Sequence, residues 1–344
     1  MTSGNGNATS PYSLLRAQKR VSLAEAVPLP GPMAIYVEPT NICNFKCVFC
    51  PESFDDYREK AGGLFQMTLD NFKIIAQQIK EFNTVKTLNF YMMGEPFSNK
   101  ELLDFISHAK QEKIAERLIV TSNGTLIKPE RYEAICASGL DYLRISIYGG
   151  NETAHRANTQ SPFKLERIRE NVAGLRAYRD KMGKAGPSIY VKMIESKSNA
   201  ENQDFLNYFN GVGDELNLEP VMNWNDPDEG NLSLIETDSL LMSKHFSHKK
   251  EVCPFPFYTL VIHSDLNVSV CCVDWNKKTV IGNLREKTLS ELWRSDALKD
   301  FQLKHLQRER HKLSSCKNCT YIHTAPDNLD ELDVGTYIDR LSAI

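Results

Sequence analysis

From Met33 to about Trp224, short runs rich in β-branched and aromatic residues alternate with longer runs whose apolar residues recur every three or four positions. Residues 34–38 (Ala-Ile-Tyr-Val-Glu) read as a first strand, and Thr68 caps a helical pattern with Phe72, Ile75, Ala76 and Ile79 on one face. A second strand over 88–92 precedes a helix with Leu102, Leu103, Ile106 and Ala109 inward. A third over 117–121 leads to a helix that starts at Pro129 and stops at Gly139, a residue suited to the left-handed position after a helix. Tyr142–Ile147 with a helix over 164–182, 189–194 with a helix capped by Asn199, and 215–222 complete the series. Six such units predict an α/β fold, a parallel sheet with right-handed crossovers. Periodicity does not choose between an open doubly wound sheet and one curled into a barrel.

The pattern then changes. A polar stretch over 226–250 reads as a linker between a core over 31–225 and a smaller module over 251–325. That module should hold a hairpin, 258–263 and 268–273, and a helix capped by Ser290 carrying Leu292, Trp293, Leu298 and Phe301. Residues 1–30 and 326–344 are expected to be a flexible N-terminal segment and a tail, the latter with a solvated acidic run.

Composition narrows the function. The 344 residues, 41% hydrophobic and 25% charged, are ordinary for a globular protein. A net charge of −3 offers no bulk reason to bind nucleic acid or an anionic membrane. No apolar run approaches the roughly 20 residues that span a bilayer, and 1–10 lacks the apolar stretch of a signal peptide, so a cytoplasmic location is expected. In that compartment nine cysteines point to metal or catalysis more than to disulfides. Three lie early, five follow Glu251, and Cys136 between them reads as core packing.

Cys43, Cys47 and Cys50 follow the first strand at C-x3-C-x2-C spacing. Three thiolates at this spacing can hold three irons of a [4Fe–4S] cube and leave the fourth open to a small chelating molecule. Structural zinc, the competing reading, normally takes four ligands, and no fourth Cys or His follows locally. Gly94-Glu95-Pro96 ends the second strand and Ser122-Asn123-Gly124 the third. Ligands of such sheets sit at these strand ends, so the three segments should form one site.

With Phe49 at its aromatic position, the cysteine segment resembles the motif of the radical S-adenosylmethionine superfamily. That resemblance implies a partial (β/α)6 barrel. It also implies a cluster whose free iron binds the cofactor's amino and carboxylate groups, and cleavage of the cofactor to a 5′-deoxyadenosyl radical. Gly94, Glu95 and Pro96 resemble the motif whose backbone receives the cofactor's amino group, with Met93 where another Gly is common. Ser122 and Asn123 resemble the segment after strand three. Ser146 enters as a cofactor contact by the same resemblance, with Tyr148 replacing the usual acid. Arg156 falls where the family often carries an Arg, a natural partner for the methionyl carboxylate.

Lys192 lies inside an apolar strand, where a lysine is rarely buried without a partner. With Glu195, Tyr91, Asn223 and Trp224 at strand ends, it is a candidate for the substrate pocket. Cys253, Cys271 or Cys272, Cys316 and Cys319 form a second set, suited to zinc or to a fully ligated [4Fe–4S] cluster. Behind such a core they resemble the auxiliary-cluster modules of the superfamily, the seven-cysteine SPASM and four-cysteine twitch types. The likeness implies one auxiliary cluster, held by Cys253, Cys271, Cys316 and Cys319. Cys272 is left as a spare, because adjacent strand residues point to opposite faces.

The four-cysteine pattern is similar to that of aminocyclitol and sugar dehydrogenases of aminoglycoside pathways. It implies a small sugar or aminocyclitol substrate, oxidised from carbinol to ketone, with an electron passed to the auxiliary cluster. A base reached through Lys192 or Arg156 takes the hydroxyl proton, and an external one-electron donor such as a flavodoxin-type protein starts the reaction. Three alternatives stay open at this point: epimerisation with Cys272 returning a hydrogen atom, peptide maturation, and a zinc-stabilised binding protein.

Overall fold

The computed structural model describes residues 21–83, 85–183, 186–220 and 250–343. Asn223, Trp224 and nearly all of the expected linker lie outside the described residues. Six strands, β1 (Ala34–Val37), β2 (Thr87–Phe90), β3 (Arg117–Ser122), β4 (Tyr142–Ile147), β5 (Ser188–Ile194) and β6 (Glu215–Glu219), pair in parallel in chain order. This is the parallel core of a partial (β/α)6 barrel. In the β4–β5 register Ser146 stands beside Lys192.

Three further strands complete the sheet: β7 (Thr259–Ile262), β8 (Asn267–Ser269) and β9 (Val280–Asn283). The expected hairpin is β7–β8, yet it is not a detached module. β7 pairs in parallel with β1 along its whole length, so all nine strands form one sheet in the order β6-β5-β4-β3-β2-β1-β7-β8-β9. Without β7, the far side of β1 would be an unpaired edge. The strand β9 escaped the sequence reading because it is four residues long and contains a glycine.

Alternation along the strands divides the sheet into two chemically different faces. Ile35 and Val37, Leu88 and Phe90, Leu143, Ile145 and Ile147, and Ile189, Val191 and Met193 join the main apolar core with the helices. Their neighbours on the other face include Tyr36, Tyr91, Tyr142, Arg144, Ser146, Tyr190 and Lys192. A parallel sheet normally reads as a continuous apolar run because both faces are covered. Here the polar residues mark the concave face as one that receives something other than a helix.

The helices follow the expected logic with small shifts. Thr68 caps Leu69–Ile79, and Phe72 stacks on Phe105 with ring centroids 4.9 Å apart. Phe105, not Leu103, is the residue of the next helix that is buried with Leu102 and Ile106. Ser198, one residue before Asn199, caps Asn199–Tyr208. The single helix expected from Ser290 is two. Thr288 forms a capping box with Glu291 for Leu289–Trp293, and Ser295 caps Asp296–Leu306. The tail also differs from expectation. Leu329, Leu332 and Tyr337 pack with Leu23, Val27 and Phe257, and Asp330 accepts hydrogen bonds from the Glu251 and Val252 amides. The acidic run is thus partly a set of caps, with its leucines turned inward.

Candidate active site

The cysteine loop leaves the C-terminal end of β1 and is gripped from two sides. On one side the amides of Lys46 and Val48 donate to the carbonyls of Thr159 and Asn158, 3.0 and 2.9 Å away. Phe45 is buried against Tyr148 and His155. On the other side the Glu95 amide donates to the Ile42 carbonyl at 3.0 Å. Gly94 makes this approach possible: its φ is +71°, and a Cβ there would sit 2.4 Å from the Thr40 carbonyl oxygen.

Glu95 is buried, and its carboxylate is committed to the protein. It accepts from the Phe97 amide, the Ser122 hydroxyl at 2.7 Å and the Asn123 amide at 2.8 Å. Burial pushes its carboxyl up to about 7 against the pull of these three bonds. Asn123 in turn donates to Asn44 at 2.8 Å and reaches the Cys43 sulfur at 4.0 Å. The ends of β1, β2 and β3 therefore meet in one hydrogen-bonded unit. Gly94, Glu95, Pro96, Ser122 and Asn123 all belong to it or adjoin it.

Tyr148 joins this unit to the concave face. Its ring lies 5.4 Å from that of Phe49, and its hydroxyl bonds to Ser146. Beside Ser146, Lys192 pairs with Glu219 at 2.5 Å. Arg144 reaches Glu219 at 3.3 Å and donates to the Tyr91 hydroxyl at 3.1 Å, while the Tyr190 hydroxyl donates to Glu219 at 3.1 Å. Burial alone would raise the Glu219 carboxyl, but Lys192, Arg144 and Tyr190 outweigh it and bring it to about 2. Burial and then Arg144 lower the Lys192 ammonium.

Arg144 and Glu219 were not singled out from the sequence, and Tyr148 was noted there only as replacing an acid. Arg144 carries the same signal that drew attention to Lys192, a charge inside an apolar strand. Glu195 is half-buried, its amide bonded to the Glu219 carbonyl. Arg156 lies apart from these groups. Its side chain is 63% exposed, pairs with Glu152 at 3.9 Å, and lines an outer groove with Lys164, Asp204 and Tyr208.

The second cysteine set is assembled from distant segments. Cys253, Cys271, Cys316 and Cys319 line one cavity with Asp274, His305, Arg310 and Tyr321. Arg310 donates to the carbonyls of Cys316 and Cys319 and so holds the C-x2-C turn closed. Cys272 does not line the cavity. Its thiol donates to the Tyr321 hydroxyl at 3.6 Å and packs with Tyr36 and Val261, where β1 meets β7.

Both sets fit iron–sulfur clusters on the chemistry of their thiols. Burial raises Cys43, with Glu95 adding to it, and pushes Cys50 up to about 12. In the second cavity burial pushes Cys253 up to about 12 and raises Cys271, Cys316 and Cys319 too. A thiol ligates as thiolate, and buried thiolates need a cationic centre among them. Among the described residues no three ligating groups converge on a single metal-ion position. A cube instead takes each thiolate on its own iron.

Comparisons with known proteins agree with this geometry. Residues 37–193 match the model of the radical SAM superfamily, and 253–320 match that of an iron-sulfur cluster-binding domain, SPASM. The chain is 23% identical over 320 residues to a tungsten-containing aldehyde ferredoxin oxidoreductase cofactor-modifying protein of Pyrococcus furiosus, covering 83% of this chain and 86% of that one. It is 22% identical over 289 residues to an S-adenosyl-L-methionine-dependent 2-deoxy-scyllo-inosamine dehydrogenase of Niallia circulans, covering 84% and 92%. The crystal structure of BtrN in complex with AdoMet and 2-DOIA superposes with a TM-score of 0.56 at 20% identity, over 84% of this chain and 92% of that one. Among the described residues no helix is long and apolar enough to cross a membrane. The first matched domain binds a [4Fe–4S] cluster with S-adenosylmethionine and the second an auxiliary iron–sulfur cluster. The two matched domains take in most of the chain and hold both thiol sets, so this protein is a radical SAM enzyme with a C-terminal SPASM-type module.

Proposed function

We propose that this enzyme oxidises a carbinol carbon of a small sugar or aminocyclitol to a ketone. The single observation that carries the reading is the second cavity: four thiols line it, enough to seal one cluster, and β7 joins it to the barrel through β1. Similarity to the inosamine dehydrogenase supports the substrate class. When bound, the cofactor and its cluster supply a 5′-deoxyadenosyl radical that removes a hydrogen atom, and the auxiliary cluster offers a sink for one electron. Cys43, Cys47 and Cys50 hold the first cluster, and the 94–96 backbone, Ser122, Asn123, Ser146 and Phe49 surround the cofactor. Cys253, Cys271, Cys316 and Cys319 hold the second. Glu219, kept ionised by Lys192 and Arg144, accepts a hydrogen bond from the substrate hydroxyl and holds Lys192 beside it as the route by which the hydroxyl proton reaches a base, while Tyr91 and Glu195 border the pocket. An external one-electron donor such as a flavodoxin-type protein starts the cycle.

Epimerisation is the second reading, and Cys272 favours it. Its thiol is buried beside Tyr36 on the concave side of β1, where it can return a hydrogen atom. Incubation with candidate sugars and cyclitols, followed by mass analysis, separates the two. Oxidation yields a product lighter by two hydrogen atoms, with 5′-deoxyadenosine in matching amount. Unchanged mass in ordinary water, with one deuterium gained in deuterated water and that label lost in Cys272→Ala, would establish epimerisation in its place.

A further inference from the structure

The second cavity contains a side chain with no task in the free protein. His305 is fully buried, and neither of its ring nitrogens has a hydrogen-bond partner. Its ring packs on Phe301, centroids 5.1 Å apart, and lines the cavity with the four cysteines. A buried N–H left without an acceptor is costly, and polar groups inside proteins are rarely left so. The Asp274 carboxylate in this cavity is taken up by Lys278 and Thr279, and the Ser315 hydroxyl, also without a partner, does not bond the ring, so the acceptors left are the sulfurs of the cysteines and of the cluster they hold. Arg310 lines the same cavity and anchors the carbonyls of Cys316 and Cys319, which adds a positive charge on that side.

We propose that His305 donates its ring N–H to a sulfur of the auxiliary cluster and, with Arg310, raises that cluster's reduction potential. Hydrogen bonds to the sulfurs and nearby charge are among the factors that set such potentials. A donor stabilises the more negative, reduced cluster more than the oxidised one. The proposal rests on the electron-sink role given above, and it explains why that sink accepts electrons readily. His305 is thus a positioning and tuning residue, with no contact to the substrate required.

The test uses the full-length chain with Cys43, Cys47 and Cys50 replaced by Ala, so that the auxiliary cluster alone gives a paramagnetic signal on reduction. His305→Phe removes the donor, and His305→Gln keeps one. His305→Phe should retain its iron and shift the oxidised-to-reduced ratio about tenfold at fixed potential, a fall of ~59 mV for a one-electron couple. His305→Gln should recover most of that shift. Unchanged potentials in both variants would overturn the proposal. Iron lost from both, with circular dichroism unchanged, would make His305 a ligand and overturn it as well. Where His305→Phe fails to fold, His305→Met, which also lacks a donor, takes its place: a fall of ~59 mV supports the donor, and a wild-type potential refutes it. None of these readings uses substrate, so failure of the dehydrogenase reading would appear separately in the product assay.

Discussion

The two thiol sites solve the same electrostatic problem in opposite ways. In the first, three cysteines lie on one loop, the surrounding polar groups come from the ends of β1, β2 and β3, and the carboxylates Glu95, at Cys43, and Glu52, at all three, raise the thiols further. In the second, four cysteines come from three separate segments, and the Arg310 guanidinium lines the cavity together with the Asp274 carboxylate. A cluster with an open coordination position needs a rigid, locally fixed loop, because the missing ligand cannot help to hold it. A sealed cluster can gather its own ligands from distant segments. The first site therefore depends on tight backbone fit, and the second on the packing that brings Cys271, just after β8, to one cavity with His305 near the end of Asp296–Leu306.

Changes to the ligands should have the largest effects and divide cleanly between the sites. Replacing Cys43, Cys47 and Cys50 together with Ala should abolish 5′-deoxyadenosine formation while leaving about half of the iron, because the second ligand set is separate. Cofactor cleavage at the parent rate would break the comparison outright. Cys271→Ala should lose the auxiliary iron, whereas Cys272→Ala should keep it, since only Cys271 lines the cavity. Iron analysis after anaerobic reconstitution reads both, and a reversed result would shift the ligand set by one residue.

Gly94→Ala tests the backbone fit of the first site. A left-handed non-glycine residue costs roughly 1–2 kcal/mol, and contact with the Thr40 carbonyl adds to it, so a loss of about 2–4 kcal/mol is expected. A thermal melt within a degree or two of the parent would show that the turn relaxes freely.

A smaller effect is expected where the two regions meet. Glu38, buried just after β1, accepts from the Met93 amide and from the amide and hydroxyl of Ser264, linking the barrel to the β7–β8 turn. Glu38→Gln keeps the shape and removes the charge, so about 1–3 kcal/mol should be lost in urea unfolding. If the transitions followed by fluorescence and circular dichroism separate in this variant, Glu38 is what makes the two regions unfold as one.

The smallest effect belongs to Arg156→Gln. An exposed residue paired with Glu152 at 3.9 Å should change stability by less than about 0.5 kcal/mol. Cofactor cleavage should be unaffected. A marked rise in the cofactor's apparent KM would bring Arg156 back to the carboxylate.

Much of this protein was written locally in the chain. The alternation of strand and helix patterns, the Cys43–Cys50 spacing and the turn at Gly94 depend on neighbours within a few residues, so periodicity and side-chain chemistry were enough to read them. Arg144 was legible on the same terms as Lys192. The pairing of β7 with β1 was not, because an unpaired strand edge leaves no mark on its own sequence. Nor were the buried tail, the Glu38 bridge across 226 positions, or the Lys192–Glu219 pair on the concave face. Each joins residues that ordinary local patterns treat as unrelated. Which thiols share a cavity, and which histidine stands among them, was decided when β7 paired with β1 and the Asp296–Leu306 helix packed against residues 255–257, burying polar groups that must then find partners in space and not in sequence.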